Sequence, residues 1–308
     1  METFKIGICE PEGFSEQAID QLKQIGNVEC FREKDLKKFI SDKNAIFVRL
    51  KYQITDELIE ECSDLRYICS PTTGLNHISI TNSSIHIVSL KGEQEFLTSI
   101  RATPEHVFGL SIALLRNYAH CFLNEKQSMW NRNFYKGYEL YNNNIGIIGA
   151  GRIGKLLIHY YQAFGANVAY YEIKDEKIPN ATKCDSLNEL IQKSDILILE
   201  TNYIKENENM IGKHELDLMK GKYFINAARG ELVDEEYLIE LIEKNYFKGV
   251  AIDVIQNETD NHNNLTKYLK AAKGRNIIIT PHIGGATYSS MERTEEFIAE
   301  KLMKFMKI

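Results

Sequence analysis

The stretch NIGIIGAGRIGKLLIHYYQAFGANVAYYE, residues 144–172, decides the fold. It begins with an apolar strand pattern, continues through Gly149, Gly151 and Gly154 with the spacing GxGxxG, and passes directly into a helix pattern. In such a unit the first glycine permits a tight turn, the second lets the backbone approach a pyrophosphate, and the third lets helix and strand pack. The stretch therefore predicts a dinucleotide-binding βαβ unit.

Two features of this stretch concern the dinucleotide itself. The helix after Gly151 would direct its N-terminal amides, with Arg152 and Ile153 in the first turn, at the pyrophosphate. The second strand ends in Glu172, 18 residues after Gly154, where an acid accepts hydrogen bonds from the adenosine ribose. Because a carboxylate there repels a 2′-phosphate, NAD is predicted as the cofactor rather than NADP. A solvated strand end is the alternative interpretation of Glu172.

Apolar strand patterns alternate with helix patterns along the whole chain. FKIGIC, AIFVRL, LRYICS and IHIVSL precede the glycine-rich stretch, and DILILE, YFINAA, GVAIDV and NIIITP follow it. Strands interleaved with helices predict an α/β fold with parallel sheets, and six strands from NIGIIG onward suit a doubly wound sheet. For 308 residues we expect two Rossmann-like or flavodoxin-like domains. These are a substrate-binding domain of residues 1–97 plus 286–308 and an NAD-binding Rossmann domain of residues 98–285.

Composition and charge argue against several classes of partner. The chain has 44% apolar residues, 26% charged residues and a formal net charge of −6, with basic residues scattered among acids, so nucleic acid is not expected. No apolar run reaches the roughly 18 to 20 residues that cross a bilayer, and the N-terminus lacks a signal-peptide pattern. A cytoplasmic protein without membrane association is therefore expected. The six cysteines and eight histidines form no ligand motif, so no metal is expected.

Three segments directly follow predicted strands of the second domain, where open α/β sheets place their ligands: NAARGELVDEEYL, AIDVIQNE and ITPHIGG. Together with the glycine loop and ATPEHVFGLSIALLR, they make the chain resemble the D-isomer-specific 2-hydroxyacid dehydrogenases, closest to the D-3-phosphoglycerate dehydrogenase-like branch. The resemblance covers nearly the whole chain and is densest over residues 102–286. It implies hydride transfer between NAD(H) and C2 of a small D-2-hydroxy acid or 2-oxo acid, with a phosphoglycerate-like acid as one candidate.

The resemblance also implies roles for individual residues of these segments. Arg229 would bind the substrate carboxylate and 2-oxo group, His282 would be the acid/base, and Glu258 would orient and charge that histidine. These residue types suit the chemistry, because imidazole exchanges protons near neutral pH, a carboxylate stabilises its protonated form, and a guanidinium grips a carboxylate. Asp253 would hold the nicotinamide carboxamide, with a buried strand-end cap as the alternative. Thr259 stands where the family usually has proline.

The first domain carries CSPTTGLNHIS, which resembles the family's glycine loop for the substrate carboxylate. The candidate substrate-binding residues of this loop are Thr73, Gly74, Leu75 and Asn76. Ser79 replaces the loop's usual closing acid. Arg49 and Lys51, in FVRLKYQIT, lie where the phosphoglycerate dehydrogenases carry cations near the substrate. They either contact an anionic substrate group or belong to the solvated surface.

Other functions remain compatible with these motifs. A relative that senses NAD and binds another protein, with little turnover, would keep all of them, although no partner-binding tail is visible. An oxidoreductase of the same fold acting on formate or phosphite would need different substrate contacts, so the set of Arg229, Glu258 and His282 favours a hydroxy acid.

A homodimer is the predicted assembly. TPEHVFGLSIALLRNYAHC, residues 103–121, reads as a helix that is apolar over most of its circumference, and the family pairs through that region. A helix fully buried within one subunit is the alternative. The chain stops at Ile308, so we do not expect the appended regulatory domain that some phosphoglycerate dehydrogenases carry, or feedback control by an amino acid through it.

Overall fold

The structure is a computed structural model, and it describes residues 3–32, 34–123, 132–260 and 262–306. The chain divides into two compact units, unit 1 (Met1–Ile100 with Ala286–Ile308) and unit 2 (Arg101–Gly285). The strands are β1 Lys5–Ile8, β2 Asn27–Cys30, β3 Ala45–Phe47, β4 Ile54–Thr55, β5 Tyr67–Ser70, β6 Ile78–Ser79, β7 His86–Ser89, β8 Asn144–Ile148, β9 Asn167–Tyr171, β10 Thr182–Lys183, β11 Ile196–Leu199, β12 Tyr223–Asn226, β13 Gly249–Ile252 and β14 Ile277–Ile279. The helices are α1 Glu16–Lys23, α2 Leu36–Ile40, α3 Asp56–Ile59, α4 Gln94–Leu97, α5 Ala102–Leu115, α6 Tyr118–Leu123, α7 Arg152–Ala163, α8 Leu187–Lys193, α9 Lys213–Asp217, α10 Glu235–Glu243, α11 Leu265–Ala272 and α12 Tyr288–Phe305, with short 3-10 turns at Lys205–Asn207 and Gly230–Leu232.

Unit 1 is built on a parallel sheet of five strands in the order β2-β1-β3-β5-β7, with a two-stranded pair β4-β6 beside it. This is the order of flavodoxin-like doubly wound sheets. Strand β2 was not predicted, because NVEC places a single aliphatic side chain among polar neighbours and gives no apolar run. Helix α1 begins directly after Ser15, whose hydroxyl accepts a hydrogen bond from the Ala18 amide. Helix α12 contributes Ile298 and Leu302 to the core of this unit.

Unit 2 is a parallel sheet of seven strands in the order β10-β9-β8-β11-β12-β13-β14. The α/β prediction is confirmed, and each of the six predicted strands is present. The seventh, β10, has two residues at the sheet edge and is too short to leave a periodic pattern. The sheet bears a buried apolar cluster on each face. The strand order reverses between β8 and β11, and ligands bind at such a switch point, beyond the carboxyl ends of the strands.

The helix predicted over residues 103–121 is two helices, α5 and α6. Asn117 lies between them with φ +56°, a left-handed conformation that asparagine tolerates and that ends helices. The Leu115 carbonyl accepts a hydrogen bond from Tyr138 N at 2.8 Å, and the missing Cβ of Gly137 would lie 2.2 Å from that carbonyl oxygen. A returning segment therefore occupies the place where α5 would continue.

No helix in the described part of the chain is long and apolar enough to cross a membrane.

Candidate active site

The glycine loop after β8 has the geometry that its sequence predicts. Gly149 has φ +96°, and a Cβ there would lie 2.7 Å from the Glu200 carbonyl oxygen, so only glycine fits. A Cβ on Gly154 would lie 2.2 Å from the Gly149 carbonyl oxygen, which fixes the close packing of α7 on β8. Space is open at Gly151, which precedes the first turn of α7 with Arg152 and Ile153. The loop thus fits a pyrophosphate bound at the helix N-terminus.

Glu172 follows β9 and turns its carboxylate toward this loop. Its Oε2 accepts a hydrogen bond from Ala150 N at 3.0 Å, and its Oε1 accepts one from Lys174 N at 3.1 Å. Glu172 is therefore an ordered part of the loop rather than a solvated strand end. A dinucleotide bound at the loop would meet this carboxylate at the adenosine end.

Arg229 follows β12 in a turn that Asn226 holds from both sides. The Asn226 side chain accepts a hydrogen bond from Ala228 N at 3.1 Å and donates one to the Arg229 carbonyl at 3.0 Å. A Cβ on Gly230 would lie 2.1 Å from the Ile255 carbonyl carbon, so this glycine lets the turn pack on the loop after β13. The half-buried guanidinium donates to the Ala228 carbonyl, and no carboxylate of the described residues lies within ion-pair distance of it. It is suitably placed to bind an anion.

His282 and Glu258 are brought together from two loops of unit 2. His282 Nδ1 lies 2.6 Å from Glu258 Oε2, and both side chains are partly exposed. His282 has φ +53°, an uncommon conformation for a residue with a side chain, and its amide donates to the Asp253 carbonyl at 2.7 Å. The bond to Nδ1 fixes the ring and leaves Nε2 available for another partner. The predicted pairing therefore exists as a contact.

A buried acid that the sequence analysis missed holds the loop of Glu258. Glu235, the first residue of α10, accepts hydrogen bonds from Gln256 N at 2.8 Å and from Asn264 Nδ2 at 3.1 Å. Burial raises the pKa of Glu235 to about 7, although these two bonds lower it in part. Asn263 Nδ2 also donates to the Glu258 carbonyl at 3.2 Å. These contacts anchor the loop although Thr259 replaces the usual proline.

Asp253 follows β13 and has the geometry of a strand-end cap. Its side chain is 2% exposed and accepts hydrogen bonds from Thr280 Oγ1 at 2.6 Å, Ile283 N at 2.9 Å and Gly284 N at 2.9 Å. Burial would raise its pKa, but these bonds and one from His106 outweigh it and lower the pKa. Asp253 thus anchors the turn that presents His282. A contact with the nicotinamide remains an expectation.

Glu200 is a further residue at this edge of the sheet that the motifs did not single out. It follows β11 directly, and its Oε1 is buried without a hydrogen-bond partner among the described residues. The pattern DILILE did show an acid directly after a buried strand. An acid in this position was the basis for selecting Glu172, and the same criterion would have selected Glu200.

The candidate substrate loop of unit 1 lies after β5. Thr72 Oγ1 donates to the Gly74 carbonyl at 2.8 Å and lies 2.8 Å from Ser70 Oγ, which in turn lies 3.2 Å from His77 Nε2. This buried network fixes the loop from below. The candidate residues of this loop are partly or fully exposed: Thr73, Gly74, Leu75 and Asn76.

Arg49 and Lys51 have different surroundings in unit 1. The Arg49 guanidinium donates to the carbonyls of Glu10 and Glu12, and its Nη1 lies 3.5 Å from Glu295 Oε1. Glu10 also accepts the Arg49 amide at 2.7 Å. Lys51 is exposed, with Nζ 5.2 Å from the ring centroid of Tyr52. Arg49 is therefore occupied by acids and carbonyls of its own unit.

The described residues contain no group of three or more His, Cys, Asp or Glu side chains that could hold a metal ion.

Comparisons with known proteins find relatives along the whole chain. The family model described as D-isomer specific 2-hydroxyacid dehydrogenase, NAD binding domain, matches residues 108–284. D-3-phosphoglycerate dehydrogenase of Methanocaldococcus jannaschii is 28% identical over 317 residues, which cover 98% of this chain and 57% of that protein. Glyoxylate reductase of Pyrococcus furiosus is 29% identical over 309 residues, covering 94% of this chain and 89% of that protein. The chain thus spans little more than half the length of the first relative.

Solved structures share the fold over almost the full length. The crystal structure of D-lactate dehydrogenase from Aquifex aeolicus, complexed with NAD and lactic acid, has a TM-score of 0.84 at 25% identity. The match covers 98% of this chain and 95% of that one.

Proposed function

This chain belongs to the D-isomer specific 2-hydroxyacid dehydrogenase family, whose NAD-binding domain matches more than half of it, and we propose that it moves a hydride between NAD(H) and C2 of a D-2-hydroxy acid or 2-oxo acid. NAD is its cofactor. The observation that carries the proposal is the pair His282 and Glu258, 2.6 Å apart, at the edge of the sheet that also presents Arg229 and the glycine loop. This arrangement suits an acid/base next to an anion-binding site.

The side chains divide the work of reducing a 2-oxo acid. NAD(H), when bound, supplies the hydride for C2. Arg229 binds the carboxylate and polarises the 2-oxo group, since a guanidinium offers a fork of donors. His282 delivers the proton to the oxygen from Nε2, and Glu258 stabilises the imidazolium through Nδ1. In the direction of oxidation, His282 takes the same proton back.

The charges around Arg49 bear on the choice of substrate. The name of the M. jannaschii relative indicates a phosphorylated substrate. Binding a phosphate group requires cationic side chains near it. Arg49 already contacts Glu10 and Glu295, and of the two candidate cations only Lys51 is exposed. We therefore propose a small 2-oxo acid with a single carboxylate as the preferred substrate, of the kind that the names of the glyoxylate reductase and D-lactate dehydrogenase relatives indicate.

We expect kcat/KM for glyoxylate, pyruvate or hydroxypyruvate to exceed that for 3-phosphohydroxypyruvate and 2-oxoglutarate by at least about tenfold, the effect of one missing charge-assisted hydrogen bond. NADH absorbance during turnover measures this. Arg49→Ala should lower the thermal stability without changing the ranking of substrates. A preference for the doubly charged acids that Arg49→Ala or Lys51→Ala removes would instead support a phosphoglycerate-like substrate. Absence of NADH consumption with all five acids would favour an NAD-sensing binding protein.

We propose that two copies of the chain pair through an apolar groove of unit 2. The groove has a volume of about 480 Å³ and is lined by Leu110, Ala113, Tyr118 and Phe122, together with strand β14. Phe122 is 78% exposed, and β14 is the edge of its sheet. A second copy is the occupant that the family resemblance of this region favours, because an exposed apolar surface of this kind marks an association site.

Light scattering at micromolar concentration should therefore give the mass of two chains. Phe122→Ser should weaken the dimer by roughly 10²- to 10⁴-fold, because it removes one phenyl ring from each copy and burying each ring contributes about 1.5 to 3 kcal/mol. Phe305→Ser, which removes an exposed ring from α12 in unit 1, is the matched control and should leave the dimer intact. A monomeric wild-type protein would rule the pairing out.

We also propose a cytoplasmic location. The six cysteines are free thiols, four of them buried, and a reducing compartment keeps such thiols unpaired.

A further inference from the structure

Glu200 lies at the switch point of the seven-stranded sheet, between the ends of β8 and β11. Its amide donates to the Ile148 carbonyl at 2.8 Å, which continues the pairing of the two strands. The missing Cβ of Gly149 would lie 2.7 Å from the Glu200 carbonyl oxygen and 2.9 Å from Thr201 Cα. The backbone of Glu200 therefore touches the first glycine of the loop that fits the cofactor's pyrophosphate.

The side chain of Glu200 has an unused hydrogen-bonding group. Its Oε1 is buried and has no partner in the described part of the chain. In the neighbouring acids both carboxylate oxygens have hydrogen-bond partners. Glu172 accepts two backbone hydrogen bonds, and Asp253 accepts hydrogen bonds at both oxygens. A buried polar atom without a partner is unfavourable and rare in folded proteins, so this oxygen calls for a specific explanation, for example a bound partner.

The charges that face Glu200 favour a carboxyl group that keeps its proton. Burial raises its pKa to about 8, the charge of Asp253 after β13 adds to this, and Arg152 on α7 and Arg229 after β12 lower the pKa only in part. Tyr161 on α7 also interacts with Glu200, and burial raises the pKa of that hydroxyl, so it stays neutral. These surroundings favour an O–H donor at neutral pH, next to the glycine loop that would hold the cofactor.

We propose that Glu200 is a cofactor-binding residue that acts as a neutral carboxylic acid, donating a hydrogen bond from its buried oxygen to the pyrophosphate or nicotinamide ribose of NAD(H). Oxygen atoms of these groups are acceptors, and the pyrophosphate is anionic, so it repels an ionised carboxylate and stabilises the protonated one. Binding of NAD(H) at alkaline pH must then bring a proton onto Glu200. The proposal rests on NAD as the cofactor and does not depend on which 2-oxo acid is reduced.

The test is the Kd for NADH, measured from the rise in NADH fluorescence between about pH 6.5 and about pH 9.5. The wild-type Kd should be constant near neutral pH and then rise by about tenfold per pH unit above the pKa of Glu200, because only the protonated form binds. Calorimetry at about pH 9 in two buffers of different ionisation enthalpy should show uptake approaching one proton per NADH.

Glu200→Gln is the decisive variant, since its amide keeps a donor of the same shape that cannot ionise. It should bind NADH within about threefold of wild type at neutral pH and lose the alkaline rise in Kd. Glu206→Gln removes the same charge from an exposed position on the same connection and should retain the wild-type pH dependence. It is the matched control for net charge.

Thermal denaturation of the cofactor-free chain checks that the carboxyl itself titrates. Folding raises the pKa of Glu200 from its ordinary 4.5 to about 8, so the folded chain holds this proton more tightly than the unfolded chain. Its contribution to stability is therefore highest below the ordinary pKa and falls as pH rises to about 8. Glu200→Gln should make the measured decline smaller, and the part due to Glu235, whose pKa is also raised, should persist.

Three results would overturn the proposal. They are a wild-type Kd that stays flat to the alkaline limit, an alkaline rise that survives in Glu200→Gln, and a loss above about tenfold in Glu200→Gln at neutral pH, which would mean that the ionised form binds. A variant that changes only the pH dependence of denaturation would make Glu200 a buried acid without a cofactor contact. Normal NADH binding without turnover of any 2-oxo acid would contradict the proposed reaction and leave this inference standing.

Discussion

We expect His282→Ala to lower kcat for 2-oxo acid reduction by about 10²- to 10⁴-fold while the Kd for NADH stays within about twofold of wild type. The imidazole is tied through Nδ1 to Glu258, and its backbone is bonded to Asp253, so the ring is presented at a fixed position. We expect the cofactor contacts to come instead from the glycine loop and Glu172, which lie at the ends of other strands. Steady-state kinetics and NADH fluorescence together separate the loss of proton transfer from a loss of binding.

The chain offers a matched control for this prediction. His262 Nδ1 lies 3.2 Å from Asp260 Oδ1, which is a second contact between a histidine and an acid, but His262 is 94% exposed. His262→Ala should leave kcat unchanged. Glu258→Gln keeps the size of the partner and removes its charge, so its loss should be smaller than that of His282→Ala. Equal losses in the variants of His282 and His262, or a His282→Ala protein with near wild-type kcat, would contradict the assignment of the acid/base.

The parts of the fold that the sequence predicts are those with local signatures. The glycine spacing at 149–154 and the apolar runs of the central strands report on neighbours close along the chain, and they predict most strands of the two larger sheets. Strand β10 was not predicted, because two residues at a sheet edge are too few to show a periodic pattern of apolar side chains. The break between α5 and α6 was not predicted either. Asn117 ends the helix through its left-handed backbone conformation, which the composition does not reveal.

The residues of the candidate site also fall into those with a local sequence signature and those defined only by contacts in the folded chain. His282, Glu258 and Arg229 could be named as candidates because each follows a strand within a recognisable segment. The surroundings of Arg49 could not be predicted. Glu295, which contacts it, is distant in sequence, and only folding places the two side chains together. The buried carboxyl groups at 200 and 235 were missed for a related reason. Burial and partners distinguish them from surface acids, and neither is visible in a list of residues.

Arg229→Ala should lower kcat/KM for 2-oxo acids by about 10²- to 10⁴-fold, because two charge-assisted hydrogen bonds of about 1.5 to 3 kcal/mol each are lost. No carboxylate of the described residues pairs with this guanidinium, and Asn226 fixes its turn by two hydrogen bonds, so the group is held ready for an anionic substrate. Part of the loss should appear in kcat, because the same group polarises the 2-oxo oxygen in the transition state.

Arg229→Lys should recover only part of this loss, since an ammonium group keeps the charge but lacks the planar fork that binds a carboxylate through two bonds. Arg275→Ala is the control for a lost guanidinium in the same unit, because Arg275 donates to the carbonyls of Ala271 and Glu243. It should lower the Tm and leave kcat/KM unchanged.

Removing Arg229 also removes a positive charge that lowers the pKa of Glu200, so the alkaline rise in the NADH Kd should move to higher pH in Arg229→Ala. A kcat/KM that falls by less than about fivefold in Arg229→Ala would place the carboxylate anchor elsewhere. An unmoved alkaline transition would show that Arg229 and Glu200 do not share one electrostatic environment.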